Sequence, residues 1–320
     1  MTSTARDPGI ATAGEAFDET KPFTRGDAVA AGLPPSILRT SRFRRIFRGV
    51  YIADRVPDSP FVRIEAALVL HPPTAFASHV SAARIFRLPV PDSPDVHVTV
   101  FEPKDRRRRA GVVPHVTTTP AHVVTWKGVR VSAPFQTFVE LAVILSLVDL
   151  VVVGDAFLRV FDVTAERLVE ECERADGHFA AAARAAAGYV RDEVDSPMES
   201  RLRMLIVLAG LPEPDVNHKI RNEYGDVVMR FDLSYPALKL AVEYDGRQHA
   251  DDPKQWNRDL ERREELDDEE WRIIVVTSKG IYREPARTIE RVRNALVKRG
   301  CDSVPRQLSD DWRPFFSARG

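Results

Sequence analysis

Two segments in the last third of the 320-residue chain carry acidic side chains in a pattern suited to metal binding. Polar and apolar residues alternate in 227–233, where the polar face holds Asp232, and in 238–245, where it holds Glu243 and Asp245. Because successive side chains of a strand point to opposite faces, both segments are predicted to be two-faced strands. Acidic residues are depleted in strands, so these acids are candidates for a site. The alternative is that they simply face solvent.

The tripeptide Tyr235-Pro236-Ala237 predicts a turn that joins the two strands as a hairpin. A hairpin centred there places Asp232 opposite about Ala241 and makes Glu243 its diagonal neighbour on the polar face. Diagonal neighbours lie roughly 7–8 Å apart, a gap that one divalent cation bridges through two side chains. Carboxylates without a thiol suit Mg²⁺ or Mn²⁺, held together with several waters.

Upstream of these strands, Ser196-Pro197-Met198-Glu199 predicts the start of an apolar helix that Gly210 ends. Glu199 stands three residues after the serine, which is the spacing of a capping box, in which the glutamate accepts a hydrogen bond from the N-cap amide. Downstream of the strands, His249 is by itself either a surface histidine or a general base. Spacing alone therefore assigns neither Glu199 nor His249 to a site.

Taken in chain order, the motifs of this region resemble the very-short-patch-repair-type endonuclease-like domain of the PD-(D/E)XK superfamily. The resemblance spans about 196–299 and rests on these segments: 196–203, 230–233, 242–246 with His249, 258–259 and 271–274. It implies a site in which Glu199, Asp232 and Glu243 hold Mg²⁺ for the hydrolysis of phosphodiester bonds in DNA.

The chain departs from this family at one position. Asp245 stands where the E-x-K motif has its lysine, so the usual ammonium beside the scissile phosphate is absent. His249 would then activate water in its place, or Arg258 would stabilise the phosphoryl charge. An extra aspartate favours metal binding and disfavours a bare phosphate. The resemblance therefore leaves two alternatives: an active nuclease, or a nuclease fold that has lost its activity.

A second functional signal lies near the N-terminus, where 21–55 hold eight basic and two acidic residues in a chain of net charge −1. Thr24 is predicted to cap a short helix that Gly32 ends, and Pro34-Pro35 to start a second helix before a strand pair. This order predicts a helix-turn-helix followed by a β-wing whose arginines contact DNA phosphates. The candidate arginines are Arg39, Arg42, Arg44, Arg45 and Arg48. The alternative is an ordinary solvated basic face.

The same segment resembles the winged-helix N-terminal domain of AbiEi-type antitoxins of abortive-infection toxin–antitoxin systems. The resemblance covers about 23–54 and rests on two motifs: Arg25-Gly26-Asp27-Ala28 through Gly32-Leu33, and Arg48-Gly49-Val50-Tyr51. It implies an autorepressor that binds operator DNA and that has a cognate toxin protein as its partner.

These elements predict an α/β chain of the α+β multidomain kind. The expected order is a disordered leader (1–20), a winged helix-turn-helix (21–55), a mixed α/β middle domain (56–195), a PD-(D/E)XK restriction-endonuclease-like α/β sandwich (196–300) and a C-terminal tail (301–320). In the middle domain, helices are expected at 61–70, 78–86 and through 135–189, and strands at 96–100 and 129–131. The last domain is expected to run helix, hairpin, acidic helix, strand and helix.

Composition narrows the class of protein. Hydrophobic residues make up 44% and charged residues 29%, which is typical of globular domains. Two distant cysteines, Cys172 and Cys301, exclude a disulfide framework and a four-thiolate zinc site, so a reducing cytoplasm is expected. No signal peptide is visible. The most apolar stretch, 138–153, contains two acidic residues and is interpreted as two buried helices rather than a membrane span.

The leading hypothesis is a cytoplasmic, DNA-binding, Mg²⁺-dependent endonuclease. The second hypothesis is an AbiEi-like antitoxin and transcriptional autorepressor whose nuclease fold is catalytically degenerate. The third is a protein that contacts a toxin through its middle region.

Overall fold

The computed structural model describes residues 17–118, 121–177, 179–246 and 270–316. Within them, helices and several β-sheets occur together, so the chain has the mixed α/β class that the sequence predicts. Most of the expected leader, His249, Arg258 and the expected acidic helix of the last domain lie outside the described residues.

The chain divides into two compact units, each made of two segments. The first unit comprises Met1–Ser81 and Pro94–Val131, and the second comprises Ala82–Ser93 and Ser132–Gly320. Residues of the expected middle domain, 56–195, therefore belong partly to each unit. The domain boundaries proposed from the sequence stay predictions.

The first unit begins with a three-stranded sheet of strand order β1-β3-β2. Its elements are β1 (Phe23–Thr24), α1 (Arg25–Ala30), a 3-10 helix (Pro35–Arg39), β2 (Phe43–Phe47) and β3 (Val50–Ala53). The predicted cap is confirmed, because the Thr24 hydroxyl accepts from Asp27 N and the Asp27 carboxylate accepts from Thr24 N at 2.7 Å. The predicted strand pair is also confirmed, with Gly49 in the left-handed conformation at its turn (φ +86°).

The second predicted helix of this segment is present as a short 3-10 helix. Pro35 lacks an amide hydrogen, and the amide of Thr40 donates to Ile37 O, an i to i−3 hydrogen bond that tightens and closes the turn. Leu38 from this turn packs into a small core with Phe23, Ala28 and Phe43. The arginines on either side of the turn are therefore carried by a short turn and a hairpin.

A five-stranded sheet of order β6-β5-β4-β8-β7 completes the first unit. The elements here are α2 (Pro60–Leu68), β4 (Phe76–Ala77), α3 (His79–Ile85), β5 (Val96–Val100), β6 (Val112–Val116), β7 (Val123–Trp126) and β8 (Val129–Ser132). Helix α3 begins in the first unit and continues into Ala82–Ser93 of the second. Strand β5 pairs antiparallel with β4 and parallel with β6, and all five of its residues are buried. The helices α2 and α3 and the strands β5 and β8 confirm the sequence predictions, whereas β4, β6 and β7 were not predicted.

The second unit contains a run of helices, which the sequence predicted through 135–189 and again from Ser196 to Gly210. They are α4 (Pro134–Leu141), α5 (Leu147–Phe161), α6 (Ala165–Arg174), α7 (Ala180–Ala187) and α8 (Pro197–Leu208). The apolar stretch 138–153 is divided between α4 and α5, as predicted. Helix α5 is central, and its Gly154 permits close packing, since a Cβ there would collide with Val190 and lie 3.2 Å from the Phe138 ring. No helix in the described ranges is long and apolar enough to cross a membrane.

A four-stranded sheet of order β12-β11-β10-β9 forms the rest of this unit. Its elements are β9 (Asp215–Arg221), β10 (Val227–Tyr235), β11 (Leu240–Tyr244), β12 (Arg272–Val276), α9 (Ser278–Tyr282), α10 (Pro285–Lys298) and α11 (Arg313–Phe316). Strands β11 and β12 are parallel and the other pairs are antiparallel, while α8 and α10 pack against the sheet. The predicted hairpin, the last strand and the last long helix are confirmed, whereas β9 was not predicted.

The register of the β10–β11 hairpin differs from the predicted one. Ala241 pairs with Ser234 and not with Asp232. The reason is the turn, because Pro236–Leu238 forms a 3-10 turn and Lys239 takes the left-handed conformation (φ +46°), so the turn is longer than the tripeptide predicted from the sequence. The two-residue shift brings Asp232 closer to the C-terminal end of β11.

Candidate functional site

Glu199 lies in the first turn of α8, and its local contacts are those of a helix cap. The Ser196 hydroxyl accepts from Glu199 N at 3.2 Å, and Glu199 Oε2 accepts from Asp195 N at 3.1 Å. The capping interpretation is therefore confirmed, although the glutamate bonds the amide one residue before the N-cap rather than that of the N-cap itself. This contact fixes one carboxylate oxygen of Glu199 at the start of the helix.

Asp232 lies on β10 at the point where the regular pairing with β11 ends. The last paired residues are Leu233 and Val242. Beyond this pair, Asp232 Oδ2 accepts a hydrogen bond from Tyr244 N at 3.0 Å, so its carboxylate lies beside the peptide unit that joins Glu243 to Tyr244. The side chain thereby satisfies a strand amide and is held at the edge of the strand pair.

Helix α8, which carries Glu199, packs against β10, which carries Asp232. Burial is the main factor that raises the pKa of Glu199, and the negative charge of Asp232 raises it further, while the Ser196 hydroxyl lowers it. A like charge within range disfavours ionisation of both groups. The structure therefore brings together one acid from α8 and one from β10, which the sequence separates by more than 30 residues.

Glu243 and Asp245 are half-buried residues at the end of β11. Asp245 N donates to Val276 O at 2.9 Å, which continues the contact between β11 and β12. The Asp245 side chain thus follows directly after the strand that carries Glu243, in the position of the missing lysine. The roles expected for His249 and Arg258 stay predictions.

The carboxylate oxygens of Glu199, Asp232 and Glu243 do not all lie within 4.8 Å of one another. Among the described residues, His79, His97 and His115 are the only group of three in which potential ligand atoms all lie within 4.8 Å of one another. The atoms of Glu199, Asp232 and Glu243 are therefore spaced more widely than this. Mg²⁺ is commonly bound through one or two carboxylates and retains several waters, so such spacing suits a hydrated ion.

Two ion pairs hold α8 on α5 and thereby position Glu199. Arg203, with no exposed surface, donates to Asp155 Oδ2 at 3.0 Å, and Asp155 is 3% exposed. Arg201 donates to Asp149 at 2.5 Å. Both arginines belong to the motif 196–203, and in this structure their charges are used for packing between the two helices.

The five candidate arginines of the first unit differ in their surroundings. Arg42 donates to Glu19 at 2.7 Å and 3.0 Å, and Arg44 donates to Val56 O and lies 3.8 Å from Asp58. Arg39, Arg45 and Arg48 are exposed, and no acid among the described residues lies within ion-pair distance of them. These three are therefore the best placed to meet phosphate groups.

The sequence interpretation missed the three clustered histidines. His79, His97 and His115 lie on different elements and are each separated by 18 residues. One signal was available, because five of the eight histidines fall between residues 71 and 122. Only the order of strands in the sheet shows which of those five meet.

Comparison with known proteins identifies relatives but no activity. No family model matches the chain. Two proteins of Mycobacterium tuberculosis, the uncharacterized proteins MT2308 and Rv2248 from two strains, are each 27% identical to it over 254 residues, which is 79% of this chain and 92% of theirs. The similarity extends over most of both chains.

Proposed function

We propose that this protein binds DNA through its first unit and hydrolyses phosphodiester bonds through a Mg²⁺ site on Glu199, Asp232 and Glu243 in its second unit. The proposal assigns the first unit a winged-helix segment like that of AbiEi-type antitoxins and the second unit a PD-(D/E)XK-like domain. It also places the protein in the cytoplasm. The observation that carries the proposal is the hydrogen bond from Tyr244 N to Asp232 Oδ2, which holds the Asp232 carboxylate beside the peptide unit of Glu243.

Electrostatics supports a cation at this position. Two half-buried carboxylates repel one another, and a divalent cation bound to both removes that repulsion. All candidate ligand atoms are oxygens, which suits Mg²⁺ or Mn²⁺ better than softer metals. The four-stranded mixed sheet with α8 and α10 packed on it is the kind of α/β arrangement that the resemblance implies.

Each acidic residue of the proposed site would have its own role. Asp232 and Glu243 would hold the ion, with Glu199 reaching it through a water or directly. When bound, the ion lowers the pKa of a coordinated water and stabilises charge on the phosphate. Asp245 would hold a water or add negative charge around the metal ion. It would not take over the role of the lysine in the family motif, because a carboxylate lacks the positive charge.

Cleavage assays with matched variants test the proposal. Purified protein is incubated with single-stranded, nicked, mismatched and intact duplex DNA, with Mg²⁺, Mn²⁺ or a chelator. Metal-dependent cleavage is expected to fall at least about 100-fold in Asp232→Ala, because loss of a residue that only hydrogen-bonds a ligand already costs about 10- to 100-fold and a ligand itself costs more. Duplex affinity is expected to change by less than about twofold, because the arginines and the acids share no partners.

Glu199→Gln separates catalysis from capping. The amide oxygen still accepts from Asp195 N, so the helix cap persists while the negative charge is lost. Loss of cleavage with an unchanged melting temperature supports a metal role for Glu199. The control is Glu223→Gln, an exposed acid on the turn between β9 and β10, which is expected to cleave as the wild type does. Full cleavage by Asp232→Ala would reject the nuclease proposal.

The second candidate function is a DNA-binding regulator without nuclease activity, with a cognate toxin as its partner. Asp245 favours it, because the residue places a negative charge where the family motif has a lysine. Under this proposal the wild type binds duplex DNA through Arg39, Arg45 and Arg48 and cleaves none of the substrates with either metal. That outcome would distinguish the regulator from the nuclease.

A further inference from the structure

Three histidines lie together on the sheet of the first unit. His79 is the first residue of α3, His97 lies on β5 and His115 lies on β6. One ring nitrogen from each histidine lies within 4.8 Å of the others. The three histidines are not part of the proposed Mg²⁺ site or of the basic segment 21–55. An inference drawn from them therefore does not depend on the proposed function.

The sheet topology explains how they meet. In the parallel pairing of β5 with β6, Thr99 is opposite His115, so His97 and His115 are diagonal neighbours on the same face. Strand β4 pairs with β5 on its other side and leads directly into α3, which delivers His79 to that face. Two adjacent strands and the helix that follows the third therefore place one imidazole each.

The rings are in direct contact. His97 Nδ1 lies 2.9 Å from His115 Nε2, and the rings of His79 and His115 stack with centroids 3.8 Å apart. Two nitrogens bound to one tetrahedral zinc ion are about 3.3 Å apart, given Zn–N distances of about 2.0–2.1 Å. The His97–His115 pair is close to that spacing, and metal binding would require the rings, including the stacked His79 and His115 rings, to turn until one nitrogen of each points at the ion.

Buried hydroxyl groups support the cluster from behind. Ser78 Oγ lies 2.9 Å from His79 Nδ1 and accepts from Thr99 Oγ1 at 2.7 Å. Ser81 Oγ accepts from His97 N at 2.7 Å. Ser78 is thus an oxygen partner of a ring nitrogen, of the kind that metal-binding histidines usually have on the nitrogen that does not bind the metal. Ser81 instead fixes the backbone of His97.

The backbone at His79 is held in an uncommon conformation. Its φ of +50° lies in the left-handed region, which non-glycine residues seldom adopt and which is found more often at functional sites. This conformation occurs where β4 turns into α3. It turns the chain so that the imidazole of His79 joins those of His97 and His115.

Burial favours the neutral form of two of these imidazoles, those of His79 and His115. His79 and His97 are 7% and 8% exposed, and burial together with the neighbouring histidines lowers the pKa of His79 to about 2. Burial, His97 and the Arg106 guanidinium lower the pKa of His115 to about 4. Neutral imidazole is the form that binds metal ions.

We propose that His79, His97 and His115 form a binding site for one divalent transition-metal ion of the zinc class, with water or hydroxide as the remaining ligand. Three imidazoles without a carboxylate favour Zn²⁺, Co²⁺ or Ni²⁺ over Mg²⁺. The positive charge of Arg106 opposes a bare cation near His115, and a bound hydroxide offsets that repulsion. Three protein ligands with one exchangeable position is the arrangement of catalytic rather than purely structural zinc sites.

Metal content and cobalt absorption of the full chain test the site. Wild-type protein, stripped with a chelator and dialysed against Zn²⁺, is expected to retain one zinc per chain by elemental analysis. Replacement by Co²⁺ is expected to give the visible absorption of a four-coordinate nitrogen site. Zinc is also expected to raise the melting temperature, because a ligand that binds only the folded state stabilises it in proportion to the logarithm of its concentration.

Variants assign the ligands. His115→Gln, at a half-buried position, is expected to lower zinc affinity at least 100-fold and to abolish the cobalt absorption. The control, His122→Gln, replaces an exposed histidine of the same unit and is expected to bind as the wild type does. A wild type that retains no stoichiometric zinc, cobalt or nickel would overturn the proposal even if the variants fail to fold. Undiminished binding by folded His115→Gln would overturn it as well.

Discussion

At the scale of single residues, burial decides which polar groups can react. Cys172 is buried on α6, and burial raises the pKa of its thiol to about 12, with Glu171 adding to the rise and Arg184 opposing it. Cys301 is only partly buried, and its sulfur lies 3.3 Å from Ser303 Oγ. Because the thiolate is the reactive form, these two cysteines differ in reactivity although neither is part of a site.

We expect thiol labelling to separate them. At pH 8 a buried thiol with a pKa near 12 is almost entirely protonated and out of reach of solvent. A disulfide reagent is therefore expected to modify the partly exposed Cys301 much faster than Cys172, and to reach the second thiol quickly only in denaturant. Cys301→Ser, the control, is expected to remove the fast phase. Two fast thiols in the native wild type would contradict this expectation.

At the scale of elements, the contact between α5 and α8 determines where Glu199 lies. Arg203 and Asp155 are both almost fully buried, and Arg203 also donates to Glu213 at 3.0 Å. Burial raises the pKa of Asp155, and the Arg203 guanidinium opposes that rise. Each charge is stable in the interior only because the other is present.

Arg203→Met is expected to lower the free energy of unfolding by about 3–5 kcal/mol, because it leaves Asp155 buried without its main partner. Urea unfolding followed by circular dichroism measures the change. The control, Arg167→Met, removes an exposed pair on α6 and is expected to cost less than about 0.5 kcal/mol. In the double variant Arg203→Met/Asp155→Asn, part of the loss is expected to return. A single variant as stable as the control would show that the pair contributes little.

Regular elements could be predicted from the sequence where residue patterns are strong. Strands β10 and β11 alternate cleanly, and Thr24 with Asp27 marks the start of α1. Strand β4 has two residues, and β6 contains Pro114, so neither gives a clear pattern. The hairpin register was wrong because the left-handed Lys239 lengthens the turn, a conformation that the tripeptide does not reveal.

The candidate sites were predictable only in part. The acids were proposed from strand parity and family order, but their spacing depends on where β10 stops pairing with β11. The three histidines were missed because each lies on a different element. Their meeting depends on the strand order β6-β5-β4, a property of the whole sheet that no local pattern contains.

At the scale of the whole molecule, charge is unevenly distributed. The chain has a net charge of −1, yet 21–55 carry a net charge of +6. Part of this charge is compensated locally, since Glu19 forms ion pairs with both Arg42 and Arg55. The remaining exposed arginines are the ones that would release counterions from DNA.

We expect the salt dependence of duplex binding to separate the paired from the unpaired arginines. Each phosphate contact contributes about 0.9 to the slope of log K against log salt. Arg45→Ala/Arg48→Ala is therefore expected to reduce the slope by about 2, as measured by fluorescence anisotropy at several salt concentrations. Arg42→Ala/Arg55→Ala, the matched control, is expected to reduce it by less than half as much. Equal reductions would show that the ion pairs with Glu19 do not persist on DNA.

The division of the chain into interleaved units has a consequence for its synthesis. All residues of the first unit have been made by residue 131, whereas Ala82–Ser93 belong to the unit that follows. Phe86 of this segment packs edge-on against Phe161, which a ribosome adds several seconds later at roughly 5–20 residues per second. During that interval the nascent chain carries an apolar segment without its final partner, so chaperone contacts are expected to concentrate there.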